Sequence, residues 1–222
     1  MTAAGQRANE SGSPTSALAP AQLKLLRRYH ELLLEWNARV NLVSRRLNAD
    51  AVWSHIEHCL TVCIRPFAAG MRVVDWGTGG GLPAVPIAVA FPDVEVIAVD
   101  STVKKIRVLT EIVRELGLVN VTPTNARAES WDGIADISVS RATAQLESLW
   151  AWHRRVSKGR GADDRDKGAP EWHAGLLALK GGELQSERAD LQRRYPHVEV
   201  EILDLFNRYG PGYEGKVLVH VR

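Results

Sequence analysis

One stretch limits what this chain can fold into more than any other: Val73-Val74-Asp75-Trp76-Gly77-Thr78-Gly79-Gly80-Gly81-Leu82-Pro83. A short apolar run closes on an acid, passes through a glycine-rich turn and reaches a proline. Proline suits the first position of a helix, where its missing N–H would have no partner anyway, so a helix is expected from Pro83. Strand, glycine turn and helix open a βαβ unit whose turn lets the backbone approach a ligand closely. The spacing separates two kinds of turn. A dinucleotide fingerprint requires G-x-G-x-x-G, and its third position is Leu82 here. The pattern that runs through without a break is D-x-G-x-G-x-G, from Asp75 to Gly81.

The chain on either side extends this unit. Val94 to Val99 is the near-continuous apolar run expected of a buried parallel strand, and it ends at Asp100. A carboxylate closing the second strand, about twenty residues past the glycine turn, can accept hydrogen bonds from a ribose diol. Further strands are expected at Val119–Thr124, Asp136–Ser140 and Gly175–Leu179, with helices over Leu82–Phe91, Val103–Leu116, the stretch ending near Val156, and Leu184–Arg194. Gly117 supplies a stop for the second of these helices. Val198–Leu205 and Val217–Val221 read as a closing pair of strands. Alternating strand and helix implies a doubly wound, mainly parallel α/β sheet covered on both faces. Ligands in such sheets sit at the carboxyl ends of the strands, where Gly77, Asp100, Arg127, Glu129, Arg141 and Lys180 fall.

Ahead of the sheet, Leu26, Tyr29, Leu33, Trp36 and Val40 recur at steps of three and four, one face of an amphipathic helix. Such a stripe is first of all core packing. Arg27, Arg28, Arg39, Arg45 and Arg46 decorate this segment and its exit and make it a candidate RNA contact. Asn48-Ala49-Asp50 offers a cap for a second helix carrying His55, His58, Cys59 and Cys63. Soft nitrogen and sulfur ligands invite a zinc reading, but four ligands on one short helix cannot easily surround a tetrahedral ion, so no metal is expected. The expected layout is a mobile tail over 1–20, a helical segment over 21–68 and the ligand-binding core over 69–222, with Ser157–Pro170 a mobile insertion.

Composition adds limits. A hydrophobic content of 45% suits a soluble protein with a real core. The net charge of +2 allows nucleic-acid binding without demanding it. Two cysteines four apart are no disulfide framework, and a reducing cytoplasm is the expected compartment. No signal-peptide pattern opens the sequence, and the longest apolar run, around Leu82 to Phe91, is too short to span a bilayer.

The D-x-G-x-G-x-G loop resembles the first motif of class I S-adenosylmethionine (SAM) methyltransferases, a Rossmann-like fold. The wider chain resembles one family in particular, the bacterial 16S ribosomal RNA guanine-N7 methyltransferases, also called glucose-inhibited division protein B. The resemblance rests on Glu35-Trp36-Asn37 with Asn41-Leu42, on Asp75 through Pro86 with its L-P-x-x-P continuation, on Asp100-Ser101 with Lys104-Lys105, on Arg127-Ala128-Glu129, on Ser140-Arg141-Ala142 and on Leu179-Lys180-Gly181. It implies methyl transfer from SAM to N7 of a guanine in 16S ribosomal RNA or the small subunit, with no membrane partner and a monomer as the working expectation. Carried over by position, it implies cofactor contacts at Gly77, Gly79, Leu82, Asp100, Ser101, Thr102, Ala128, Glu129 and Arg141, and substrate-side or catalytic roles for Asn41, His55 and Lys180. The chain departs from the family at Trp76, where a small apolar residue is usual, and at His58-Cys59, where many members carry Asp-Ser. Two other readings compete: a small-molecule methyltransferase, and a catalytically idle RNA-binding assembly factor on the same scaffold. A nicotinamide oxidoreductase is disfavoured by Leu82.

Overall fold

Four runs rich in Val, Ile and Leu form parallel strands that bury side chains on both faces. They are β1 (Arg72–Trp76), β2 (Glu95–Asp100), β4 (Ile137–Arg141) and β5 (Gly175–Gly181). With the edge strand β3 (Val121–Asn125) and two C-terminal strands, β6 (Val200–Asp204) and β7 (Lys216–Val221), they make a seven-stranded sheet of order β3-β2-β1-β4-β5-β7-β6. The pairs β1–β2, β2–β3, β1–β4 and β4–β5 are parallel; β7 runs antiparallel to both β5 and β6. This computed structural model describes residues 12–44, 46–141, 144–157 and 171–222. Arg45, Ala142, the first eleven residues of the expected tail and nearly all of the expected insertion lie outside that set.

Alternation along the strands sends neighbours to opposite faces. Val73, Val96, Ala98, Val139 and Leu177 join one core with α1 (Pro20–Asn37), α2 (Ala49–Leu60), α3 (Ala84–Ala90) and α4 (Val103–Leu116). Val74, Trp76, Ile97, Val99 and Leu176 join the other with α5 (Leu146–Val156) and α6 (Gln185–Arg194). The amino-terminal helices are therefore part of a layer. Leu26, Tyr29, Leu33, Val52 and Ile56 are fully buried in the same cluster as Val85 and Leu109.

Most element boundaries fall within two residues of expectation, and the differences have local causes. Asn48 caps α2, its Oδ1 accepting the Ala51 N–H at 2.8 Å. Gly117 ends α4 in the left-handed region, φ 67°. Pro83, expected as the first helical residue, is instead the N-cap of α3. The Asp75 carboxylate accepts the Ala84 N–H at 3.1 Å, which fixes the first turn one residue later. Cys63 does not continue α2 but lies in a 3₁₀ turn, Thr61–Ile64. A short helix, α7 (Phe206–Tyr209), interrupts the run between the last two strands. The order of the sheet reverses between β1 and β4, so the turn leaving β1 opens onto the point where α/β sheets bind ligands.

Candidate active site

The glycine turn is held from both ends. Gly77 and Thr78 donate their N–H groups to the Val99 carbonyl at 2.9 and 3.0 Å, and Gly81 and Leu82 donate back to the Thr78 carbonyl. Gly79 and Gly81 adopt φ of 57° and 104°, where any side chain is strained. At Gly81 a Cβ would also meet Val85 Cγ2 at 2.7 Å and Leu109 Cδ1 at 2.8 Å. The roof of the turn comes from the amino-terminal helix: the buried Tyr29 hydroxyl donates to the Gly80 carbonyl at 3.0 Å, and Leu33 packs where a Gly80 side chain would stand.

Two carboxylates flank this turn. Asp75 is fully buried, and burial pushes its pKa up to about 7 despite the Thr78 hydroxyl, the Ala84 N–H and the Arg141 charge that favour its ionised form. Asp100 is only 7% exposed. Its Oδ2 accepts the Gly79 N–H at 3.0 Å and its Oδ1 the Thr102 N–H at 2.8 Å, so one side chain ties the glycine turn to the start of α4. Lys105 Nζ lies 4.0 Å from it.

Between these groups opens a crevice of about 430 Å³, within the range of small-molecule and cofactor sites. Gly77, Gly79, Leu82, Asp100, Ser101, Thr102, Ala128, Glu129 and Arg141 all line it. Asn41, His55 and Lys180 do not. Asn41 is exposed beside Leu42, which does line the crevice. His55 is half-buried on α2, its pKa lowered first by burial and then by the Arg141 and Lys216 charges. Lys180 is buried, its Nζ donating to the Ala144 carbonyl at 2.6 Å and to Glu187 Oε2 at 2.8 Å. Because Glu187 also accepts the Leu146 N–H at 2.9 Å, Lys180 anchors Ala144 and the start of α5 from outside the crevice.

The structure adds walls that sequence reasoning did not assign. Leu42 reaches the crevice because Asn37 Oδ1 accepts the Leu42 and Val43 N–H groups at 2.8 and 3.0 Å, folding the chain back after α1. Trp152 comes from α5 and meets Trp76 edge to face at 6.1 Å, and Trp131 also meets Trp76 edge to face at 5.6 Å. Trp76 thus fills space under the loop as one of three contacting indoles. A signal for Trp152 existed: it falls off the buried stripe of Leu146, Leu149, Trp150, His153 and Val156, so its ring needed another surface. The Ala128 carbonyl is held by the Arg155 guanidinium, which fixes the Ala126–Glu129 wall.

A D-x-G-x-G-x-G turn at the switch point of a seven-stranded sheet, with an acid closing β2, defines a class I SAM-dependent methyltransferase. The fold is shared with a SAM-dependent methyltransferase from Aquifex aeolicus (TM-score 0.54, 16% identity, 76% of this chain and 90% of that one). It is shared equally with a ribosomal protein L11 methylase from Lactobacillus delbrueckii (TM-score 0.51, 14% identity, 79% of each chain). Sequence narrows the class. The family model GidB, rRNA small subunit methyltransferase G, matches residues 22–171. Proteins named ribosomal RNA small subunit methyltransferase G are similar across most of the chain. The one from Salinibacter ruber is 46% identical over 91% of this chain and 94% of its own length. The one from Chlorobium limicola is 39% identical over 81% and 77%. The chain belongs to this family.

Proposed function

We propose that this chain transfers a methyl group from SAM to N7 of a guanine in 16S ribosomal RNA, in the cytoplasm, with the RNA or the small subunit as its partner. The observation that carries the reading is the crevice itself, built on the glycine turn and Asp100 in a chain of this family. The residues present suit the cofactor. A side chain at Gly79 or Gly81 would strain or crowd the turn that the ligand must approach, Asp100 and Glu129 offer acceptors for hydroxyl and amino groups, and Ala126, Ala128 and Trp152 offer apolar wall. In this reading Gly77, Gly79, Leu82, Asp100, Ser101, Thr102, Ala128, Glu129 and Arg141 hold the cofactor. SAM supplies an electrophilic methyl group on a sulfonium centre.

The chain's own residues then have one task, to hold the base in line. Guanine N7 presents a lone pair and carries no proton, so the protein needs orientation rather than a general base. Arg141 lies at the crevice and, with Lys216, adds to the burial that depresses the His55 and His58 imidazoles, His58 to about 3. That side, with Asn41 at the rim beside Leu42, is where the base enters. A neutral His55 imidazole there can hydrogen-bond a base without competing for its lone pair, while His58 is buried. Lys180 serves as a positioning residue for Ala144 and the start of α5.

Incubating the protein with SAM bearing a labelled methyl group and with unmethylated 16S RNA or small subunits, followed by nucleoside mass spectrometry, tests this directly. Label in 7-methylguanosine supports it. Label only in metabolite extracts would identify a small-molecule enzyme, and RNA binding without SAM binding an idle assembly factor; either result refutes the proposal.

A further inference from the structure

A second depression lies one helical turn from the crevice, between α1 and α4. It encloses about 320 Å³ and is lined by Trp36, Arg107, Val108, Thr110 and Glu111. Both of its walls continue from the crevice. On α1, Trp36 immediately precedes Asn37, whose side chain holds Leu42 against the crevice. On α4, Lys105 lines the crevice and Arg107 and Val108 line the groove in the next turn.

Some cations of this helix pair are neutralised: Arg28 contacts Glu31, Glu35 and Glu115, Arg114 contacts Glu111, and Lys105 lies 4.0 Å from Asp100. Others are not. Arg39, Lys104 and Arg107 are exposed, and none has a carboxylate within 4.0 Å among the described residues. The Arg39 guanidinium lies 5.8 Å from the centroid of the half-buried Trp36 ring. An aromatic face beside unpaired cations is the arrangement by which proteins hold single-stranded nucleic acid, the ring stacking a base and the cations following the phosphates. Glu111, already held by Arg114, marks where such a strand must leave.

We infer that this groove docks a single-stranded RNA segment flanking the target nucleotide, with one unpaired base on Trp36 and phosphates on Arg39 and Arg107. The inference rests on the proposed RNA substrate and adds a site outside the cofactor crevice. It gives Trp36 a function besides packing.

The test is filter binding of the full chain to a 16S RNA transcript across a salt series, with SAM affinity measured in parallel by calorimetry. Trp36→Leu keeps an apolar side chain and removes the ring; it should weaken transcript binding about tenfold, within the range for one lost stacking contact, without changing the salt slope. Trp36→Phe should recover most of that loss. The double variant Arg39→Ala/Arg107→Ala should weaken binding and flatten the salt slope by about 1.4, the value for two phosphates of a single strand. SAM affinity should stay within about twofold in every variant. Transcript binding by Trp36→Leu equal to wild type, or an unchanged slope in the arginine pair, overturns the inference. If Trp36→Leu does not fold, the two exposed arginines decide alone. Retained transcript binding with lost binding to assembled small subunits would show a protein partner in the groove and overturn it too. A wild-type chain that binds SAM but no RNA at any salt fails earlier, at the proposed function.

Discussion

Replacing Asp100 with alanine separates two jobs that one carboxylate does in this fold. In the absence of ligand its oxygens already accept the Gly79 and Thr102 N–H groups at 3.0 and 2.8 Å. Hydrogen bonds to a charged acceptor contribute about 1.5–3 kcal/mol each. Two of them would amount to about 3–6 kcal/mol if the orphaned N–H groups stayed dry. The carboxylate borders the crevice, so water can reach at least one of these groups, and we expect the ligand-free protein to lose roughly 2–4 kcal/mol. In a chain of this length that lowers Tm by roughly 5–15 °C. A ribose contact would be lost as well, weakening SAM binding about 10–150-fold. Asp100→Asn should fall between, because an amide presents one acceptor oxygen and turns an N–H group toward the other donor.

Scanning calorimetry without ligand reads the first effect, and isothermal titration with SAM the second. A ligand-free Tm within about 1 °C of wild type would show that the two backbone contacts contribute nothing and that the carboxylate acts on ligand alone. A lowered Tm with wild-type SAM affinity would show the reverse and remove Asp100 from the cofactor site. The expected result is loss of both, with the alanine variant losing more than the asparagine in each.

Stability should fall on the acid side of neutrality. Burial holds His58 near 3 and His153 and His220 near 4, so these imidazoles stay neutral in the fold while the unfolded chain binds protons below 6.5. Each contributes stability that is fully present above 6.5 and drains away as pH drops. Asp75 works oppositely: held protonated to about 7, it costs stability as pH rises from 3.8 toward 7, but it is one group against three. Urea denaturation should therefore give a lower unfolding free energy at pH 5 than at pH 7, and equal values would refute the assignment. Lys180→Met should destabilise the fold by about 3 kcal/mol or more, and so lower Tm, by stranding Glu187 in a largely buried site. If it instead leaves Tm unchanged and abolishes kcat, Lys180 acts on substrate and not as a brace. Single-turnover methylation should vary little between about pH 6.5 and 8.5, and His55→Gln should lose far less than the 10²–10⁴-fold of a removed general base. A tenfold rise per pH unit, abolished by that substitution, would mean a proton is being removed and the acceptor is not N7.

What could be read in advance was whatever the chain encodes over short distances. The strands of the sheet announce themselves as apolar runs, and Gly77, Gly79 and Gly81 as positions that must turn without side chains. Asp100 is legible because β2 and the residue that closes it are contiguous. Orientation over longer distances was not legible. Lys180 stands at a strand end like Arg141, yet its amine turns to Glu187, and that choice belongs to α6, a helix with only Leu191 buried and thus little apolar pattern to fix its rotation in advance. Asn41 and His55 matched family positions by order along the chain, whereas it is Leu42, next to Asn41, that the Asn37 side chain draws against the cofactor loop.

The same distinction changes the status of the amino-terminal helices. Their apolar stripe reads as a helix packing on something, and nothing in its period says on what. In the structure that surface is the glycine turn: Tyr29 bonds the Gly80 carbonyl, Leu33 occupies the space a Gly80 side chain would need, and the Leu42 carbonyl stands 3.5 Å from where a Gly79 Cβ would be. A loop of glycines has little internal stiffness, and its N–H groups can be presented in one arrangement only if something outside it removes the alternatives. Asp100 does so from below and α1 from above. The segment that carries Trp36 and Arg39 is thus the same segment that shapes the glycine turn, so RNA docked there as proposed would bear on the elements that hold the turn in place.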